Sequence, residues 1–116
     1  MSDTFKSFDV FELSKKLVIA CYALTATLPP EEKTALTQYI RQAALSTHLN
    51  ILQCTFLKKK KGRRKNILAA KNSLVVIDAV IEVLIEVKLV PESQTAEVMQ
   101  LSSACYQLLD RLKKEK

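Results

Sequence analysis

Apolar residues in this chain recur at spacings of three and four, and that period marks four helical segments separated by three breaks. In the first segment, from about Asp9 to Thr27, Leu13, Leu17, Ala20, Leu24 and Leu28 share one face, which Phe11, Val18 and Cys21 widen. Asp9 with Glu12 three residues later resembles a capping box, so the helix is predicted to start there and residues 1–7 to be disordered. Pro29-Pro30 closes the first helix and opens the second, since the missing proline N–H has no intrahelical partner in a first turn anyway. The second helix is predicted from about Pro30 to Leu57 or a few residues beyond. It carries two stripes: Leu36, Tyr39, Ile40, Ala43, Thr47, Ile51 and Cys54 on one side, and Leu45, Leu49, Leu52 and Phe56 pointing elsewhere.

The third segment, about Arg64 to Leu89, is more apolar still. Between Leu74 and Leu89 its only charges are Asp78, Glu82, Glu86 and Lys88. The run of Val and Ile would suit a strand, but its length and the spacing of four between the acids select a helix with one narrow polar stripe. Val90-Pro91-Glu92 makes the next break. The fourth segment, about Glu92 to Lys113, turns Val98, Leu101, Cys105, Leu108 and Leu112 inward. Four helices on short links predict an all-α, antiparallel up-and-down four-helix bundle. Composition agrees, because one glycine in 116 residues cannot supply the turns of a sheet protein, and the length is that of a single domain, 1–116. One apolar face per helix suffices for such a bundle, and helices two and three have more. Either this pair is deeply buried or it builds a subunit interface. We take the second reading, with Leu45, Leu49, Leu52 and Phe56 as the oligomer interface.

Charge adds a separate feature. The stretch Lys58-Lys59-Lys60-Lys61-Gly62-Arg63-Arg64-Lys65 holds seven basic residues and the one glycine. Subtracting those seven from the 18 Lys and Arg leaves 11 against 12 Asp and Glu, so the net +6 of the chain resides in this segment. As a basic loop between two helical hairpins, its first half has a structural explanation: Lys58 to Lys61 complement the dipole at the end of helix two, and Gly62 suits the left-handed residue beyond it. Arg63, Arg64 and Lys65 would open helix three, where positive charge is unfavourable by about 0.3–1 kcal/mol each. Anion binding explains them better. A solvated charge run and an acidic membrane surface are the other readings, and phosphate contact is taken ahead of both. No aromatic is interleaved with the cluster, so contact is expected with backbone phosphates and without sequence choice.

The residues Phe8 to Phe11, Tyr22-Ala23-Leu24-Thr25, Leu28-Pro29 and Leu36-Thr37-Gln38-Tyr39-Ile40-Arg41-Gln42-Ala43-Ala44-Leu45-Ser46 resemble a family of small bacterial four-helix bundle proteins encoded in intervening sequences of 23S ribosomal RNA genes. The likeness continues through Asn50-Ile51 and Ser73-Leu74, covering about Phe8 to Cys105. Its most specific stretch is Ile40 to Ser46, where family members read Leu-Arg-Arg-Ala-Ala-Val-Ser. The resemblance implies a homo-oligomer, commonly a homopentamer, of unknown function and without enzymatic activity. A related branch, the accessory proteins of diversity-generating retroelements, implies a basic barrel that binds nucleic acid and a reverse transcriptase. After the serine, family proteins usually read Ile-Pro-Ala-Asn-Ile-Ala-Glu-Gly. This chain has Thr47-His48-Leu49-Asn50-Ile51-Leu52-Gln53-Cys54, which keeps only Asn and Ile and makes helix two longer and more apolar.

Candidate chemistry elsewhere is sparse. His48 lacks the Glu-x-x-His pairing of a di-metal bundle, Leu45 standing three residues before it, and Cys54 lies six residues away on another side of the helix. No catalytic residue, metal ligand or cofactor is therefore expected, and the chain is expected not to be an enzyme. Arg41 and His48, seven residues apart, line one face that offers a weak partner contact or lies in solvent. Asp78, Glu82 and Glu86 face solvent or partner cations. Cys21, Cys54 and Cys105, with no close-spaced pair, are expected as buried free thiols of a cytoplasmic protein. No run of about 18 uncharged apolar residues exists and residues 1–7 lack a signal-peptide core, so no membrane partner is expected. Two function classes remain: a homo-oligomeric bundle that holds nucleic acid, RNA in particular, through Lys58, Lys59, Lys60, Lys61, Arg63, Arg64 and Lys65; or a protein-interaction module whose basic loop meets an acidic protein.

Overall fold

The computed structural model describes residues 2–30, 33–56 and 60–114, and the side chains of 9–30, 35–54 and 62–112. In it the apolar period becomes four helices: α1 (Ser2–Thr25), α2 (Gln38–Phe56, entered through a π-helical turn at Lys33–Thr37), α3 (Lys60–Glu86) and α4 (Glu92–Lys114). Helix α1 packs on α2 and α4, and α3 packs on the same two, so α1 and α3 occupy one diagonal of a square. Short connections make neighbours antiparallel, and the bundle is 45 Å long and 22 by 19 Å across. The length follows from α3, whose 27 residues rise about 40 Å. Leu17, Ile40, Leu74, Ile77, Ile81, Leu84 and Leu109 are the bulkiest wholly buried apolar side chains, drawn from all four helices.

Several boundaries differ from the sequence reading. Helix α1 starts at Ser2, so residues 2–7 belong to it and Asp9 with Glu12 lies inside the helix instead of capping it. Glu12 pairs with Lys15 at 3.6 Å instead. Helix α3 starts at Lys60, four residues earlier than expected, and takes Gly62 with it. Tyr39 does not join the buried stripe of α2; it is 61% exposed. The remaining core positions of that stripe, from Ile40 to Cys54, are buried as expected.

The end of α3 shows how a break forms without glycine. Lys88 adopts φ 62°, the left-handed region. The Leu89 N–H donates to the Leu84 carbonyl at 3.0 Å and the Lys88 N–H donates to Ile85 at 3.0 Å, the two bonds of a Schellman motif. Pro91 then prevents continuation. A left-handed lysine is strained relative to glycine by about 1 kcal/mol or somewhat more. Lys88→Gly is therefore expected to stabilise the protein by about 1 kcal/mol, read as a rise in Tm of a few degrees. Lys88→Ala should give no such gain, and an equal rise in both variants would remove the backbone explanation.

Among the described residues, the Thr37 hydroxyl is buried without a hydrogen-bond partner, while other buried polar groups find one within or between helices. The buried hydroxyls of Thr25, Thr47 and Thr95 donate to carbonyls three or four residues earlier in their own helices, at 2.7–2.9 Å. Lys71, 7% exposed, donates to Asp110 Oδ1 at 2.8 Å and lies over the Tyr106 ring, tying α3 to α4. The thiols of Cys21, Cys54 and Cys105 are free and buried, and burial pushes Cys21 and Cys105 up to about 12. They are core residues, as their apolar neighbours implied.

Candidate nucleic-acid interface

The antiparallel topology brings the α2–α3 connection to the same end of the bundle as the start of α1 and the finish of α4. Lys58 and Lys59 lie outside the described residues, as do the side chains of Phe56, Lys60 and Lys61. Of the rest, Arg63 is half-buried while Arg64 and Lys65 are exposed. The expected left-handed Gly62 is corrected: it is a helical residue, no described glycine has positive φ, and its carbonyl accepts from Asn66 Nδ2 at 3.2 Å. This changes the electrostatic argument. Lys60 and Lys61 belong to the first turn of α3 and do not close α2. They stand at the positive end of a dipole, where cations are disfavoured. Arg63 to Lys65 follow directly, with no acidic residue before Leu74 to offset them. Helix stability thus explains even less of the cluster than the sequence suggested.

A second surface runs along the outside of α2 and α3. Leu45 and Leu49 are 42% and 44% exposed, opposite the buried face of α2, and Leu52 is half-buried between them and the helix end. Ser73 donates to Ser46 at 3.0 Å, which sets α2 and α3 in register and places Leu45 level with Leu74. On α3 Val76 and Val83 are exposed on the outer face, while the exposed Val75 borders α4 beside Ser102 and Tyr106. Solvated helices do not ordinarily carry so many large apolar side chains on their outer face.

Arg41 and His48 do share a face of α2, but that face packs on α1. Arg41 Nε donates to Thr25 Oγ1 at 2.8 Å and Nη2 reaches the Tyr22 carbonyl at 3.4 Å. Its guanidinium also sits 4.2 Å over the Tyr22 ring. Arg41 therefore caps the C-terminus of α1, where a cation complements the dipole. His48 stacks on Phe11 with centroids 4.6 Å apart, and its Nδ1 lies 2.7 Å from Ser14 Oγ. Ser14 Oγ also lies 2.9 Å from the Phe11 carbonyl, to which it donates when the histidine supplies the N–H between the two side chains. Ser14 has no exposed surface, while His48 is half-buried. Partners 16 and 34 residues away are invisible to local spacing; only the bundle topology reveals them.

Desolvation, then the nearby Lys15, lower the His48 pKa, with Glu12 acting in the opposite direction. Below the ordinary histidine value of about 6.5 the unfolded chain binds a proton that the folded one resists. Stability from this site is complete above that value and is lost as pH falls through the lowered folded value. The urea midpoint is expected to drop between pH 7.5 and 5.5, and His48→Gln should flatten this dependence. An unchanged slope in the variant would assign it to other groups.

Asp78 accepts from Ser102 on α4 at 2.9 Å, so it is half-buried, and burial raises its pKa. Glu82 and Glu86 are exposed, as the solvent-stripe reading expects. Among the described residues no cluster of His, Cys, Asp or Glu is placed to hold a metal ion, and no helix is long and apolar enough to cross a membrane.

Comparison with known proteins agrees with this architecture. A family model described as 23S rRNA-intervening sequence protein matches residues 6–113. The fold is similar to the crystal structure of a protein of unknown function from the S23 ribosomal protein family of Bacteroides thetaiotaomicron VPI-5482, with TM-score 0.84 and 16% identity. The alignment covers 91% of this chain and 99% of that one. No curated protein matches the chain.

Proposed function

The chain belongs to the family of 23S rRNA-intervening sequence proteins, and from that premise we propose that it is a non-enzymatic, homo-oligomeric bundle that holds nucleic acid, RNA in particular, by its phosphates. The observation that carries this reading is the basic start of α3. Lys60, Lys61 and Arg63 stand in the first turn of α3, where the dipole disfavours them, and Arg64 and Lys65 extend the like charge, so their cost in stability needs a return outside the fold. Phosphates supply it. RNA is chosen over DNA because the description of the family names 23S rRNA. Self-association is supported by the exposed Leu45 and Leu49 beside the apolar outer face of α3. Five copies is the number that the family resemblance implies, and symmetry would repeat the basic end around the assembly.

The alternative is a protein-interaction module that takes an acidic protein at the same end. Unrelated RNA duplexes, titrated at low salt, separate the two. Equal binding of different sequences supports the phosphate reading. If no duplex binds the intact oligomer, the acidic-protein reading takes its place.

A further inference from the structure

Helices α3 and α4 are both polarised, and in opposite chain directions. From Lys60 to Ser73 α3 has cations and no acid, and beyond Leu74 it has Asp78, Glu82 and Glu86. Helix α4 starts with Glu92 and Glu97 and no cation before Ser103, then ends in Arg111, Lys113 and Lys114. Two contacts fix how they align: Lys71 to Asp110 at 2.8 Å, and Asp78 to Ser102 at 2.9 Å. Arg111 is accordingly level with Ala70. At 1.5 Å per residue Lys114 lies about 6 Å beyond Asp110, level with Ile67 and about one helical turn from Arg64. The antiparallel pair puts both basic ends together and both acidic ends together at the far end of the bundle.

We propose that the last turn of α4, Arg111 with Lys113 and Lys114, forms the second half of the phosphate-binding surface begun by Arg63, Arg64 and Lys65. This rests on the nucleic-acid reading above and extends it to residues far away in sequence, at the end of α4. Packed helices lie about 8–10 Å apart, so the two groups engage separate phosphates rather than compete for one. The acidic half of the pair repels a polyanion, which confines it to the end of the bundle and excludes it from the long α3–α4 face.

Three variants of the full chain test this by salt-titrated binding to duplex DNA: Arg111→Gln with Lys113→Gln and Lys114→Gln; Arg63→Gln with Arg64→Gln and Lys65→Gln; and Lys15→Gln with Lys16→Gln and Lys88→Gln. The third matches the loss of charge at sites away from the basic end. Each lost phosphate contact lowers the log–log slope by about 0.9, so two or three lost contacts lower it by about 2 to 3. That decrease is expected for the α4 variant as for the α3 variant, and not for the control. Thermal melts ensure that all three are folded at the binding temperature. An α4 variant with the wild-type slope, or one no different from the control, overturns the inference while leaving binding at α3 intact. A wild type that does not bind overturns both it and the reading on which it rests.

Discussion

Leu45→Glu combined with Leu49→Glu is expected to convert an oligomer into folded monomers. Both side chains point away from the core of the protomer, and both remain more than two-fifths exposed there. Their replacement therefore leaves the bundle intact. In an assembly that covers this face, each protomer would bring two carboxylates into an apolar contact without partners. A penalty on the order of 2 kcal/mol for each weakens that contact by roughly a thousandfold. Light scattering at micromolar concentration should show wild type as the larger species and the double variant as monomer, with the same helical circular dichroism. Leu52, half-buried, is less suitable, because a charge there also disturbs the protomer. A wild type that stays monomeric at high concentration removes the interface reading.

Arg63→Gln with Arg64→Gln and Lys65→Gln has the second large effect, on binding. Phosphate contacts carry no base information, so affinity should fall equally for unrelated sequences. A loop with four or five contacts loses on the order of a hundredfold in affinity between 50 and 200 mM salt, and the variant should lose far less over that range. Stability should hold or rise slightly. The start of α3 at Lys60 makes that gain smaller than a start at Arg64 would, because the dipole effect fades beyond the first turn. A variant that binds as tightly as wild type at every salt concentration moves the site elsewhere.

Much of the fold was legible because a bundle is specified by period and breaks. The α1 face through Leu17 and Leu24, the inward Val98 and Cys105, and the double proline each state their role locally. The second stripe of α2 was legible too, and Leu45 and Leu49 are exposed where it places them. The helix starts were not. Asp9 and Glu12 have the residue types and spacing of a cap, but those residues also fit a helix interior, and the helix continues past them. Gly62 misled in the same way, since glycine permits the left-handed conformation without requiring it. The left-handed position fell to Lys88, which no composition rule favours. Arg41 was legible as a charge on a face but not as the cap of α1, because Thr25 and Tyr22 belong to another helix. The cations of α4 have no sequence neighbours that reveal a role; only the Lys71–Asp110 contact sets them beside the start of α3.

The central claim is that the basic end meets phosphates, and the salt dependence of wild-type binding tests it most directly. Affinity for two unrelated duplexes of equal length is to be measured from 50 to 200 mM salt. The account predicts two superimposable log–log lines, with a slope near −4 on duplex DNA for the four or five contacts of one loop. The lines become steeper if several protomers, or the end of α4, engage the same molecule. Absence of binding at 50 mM, or a slope near zero, would contradict it.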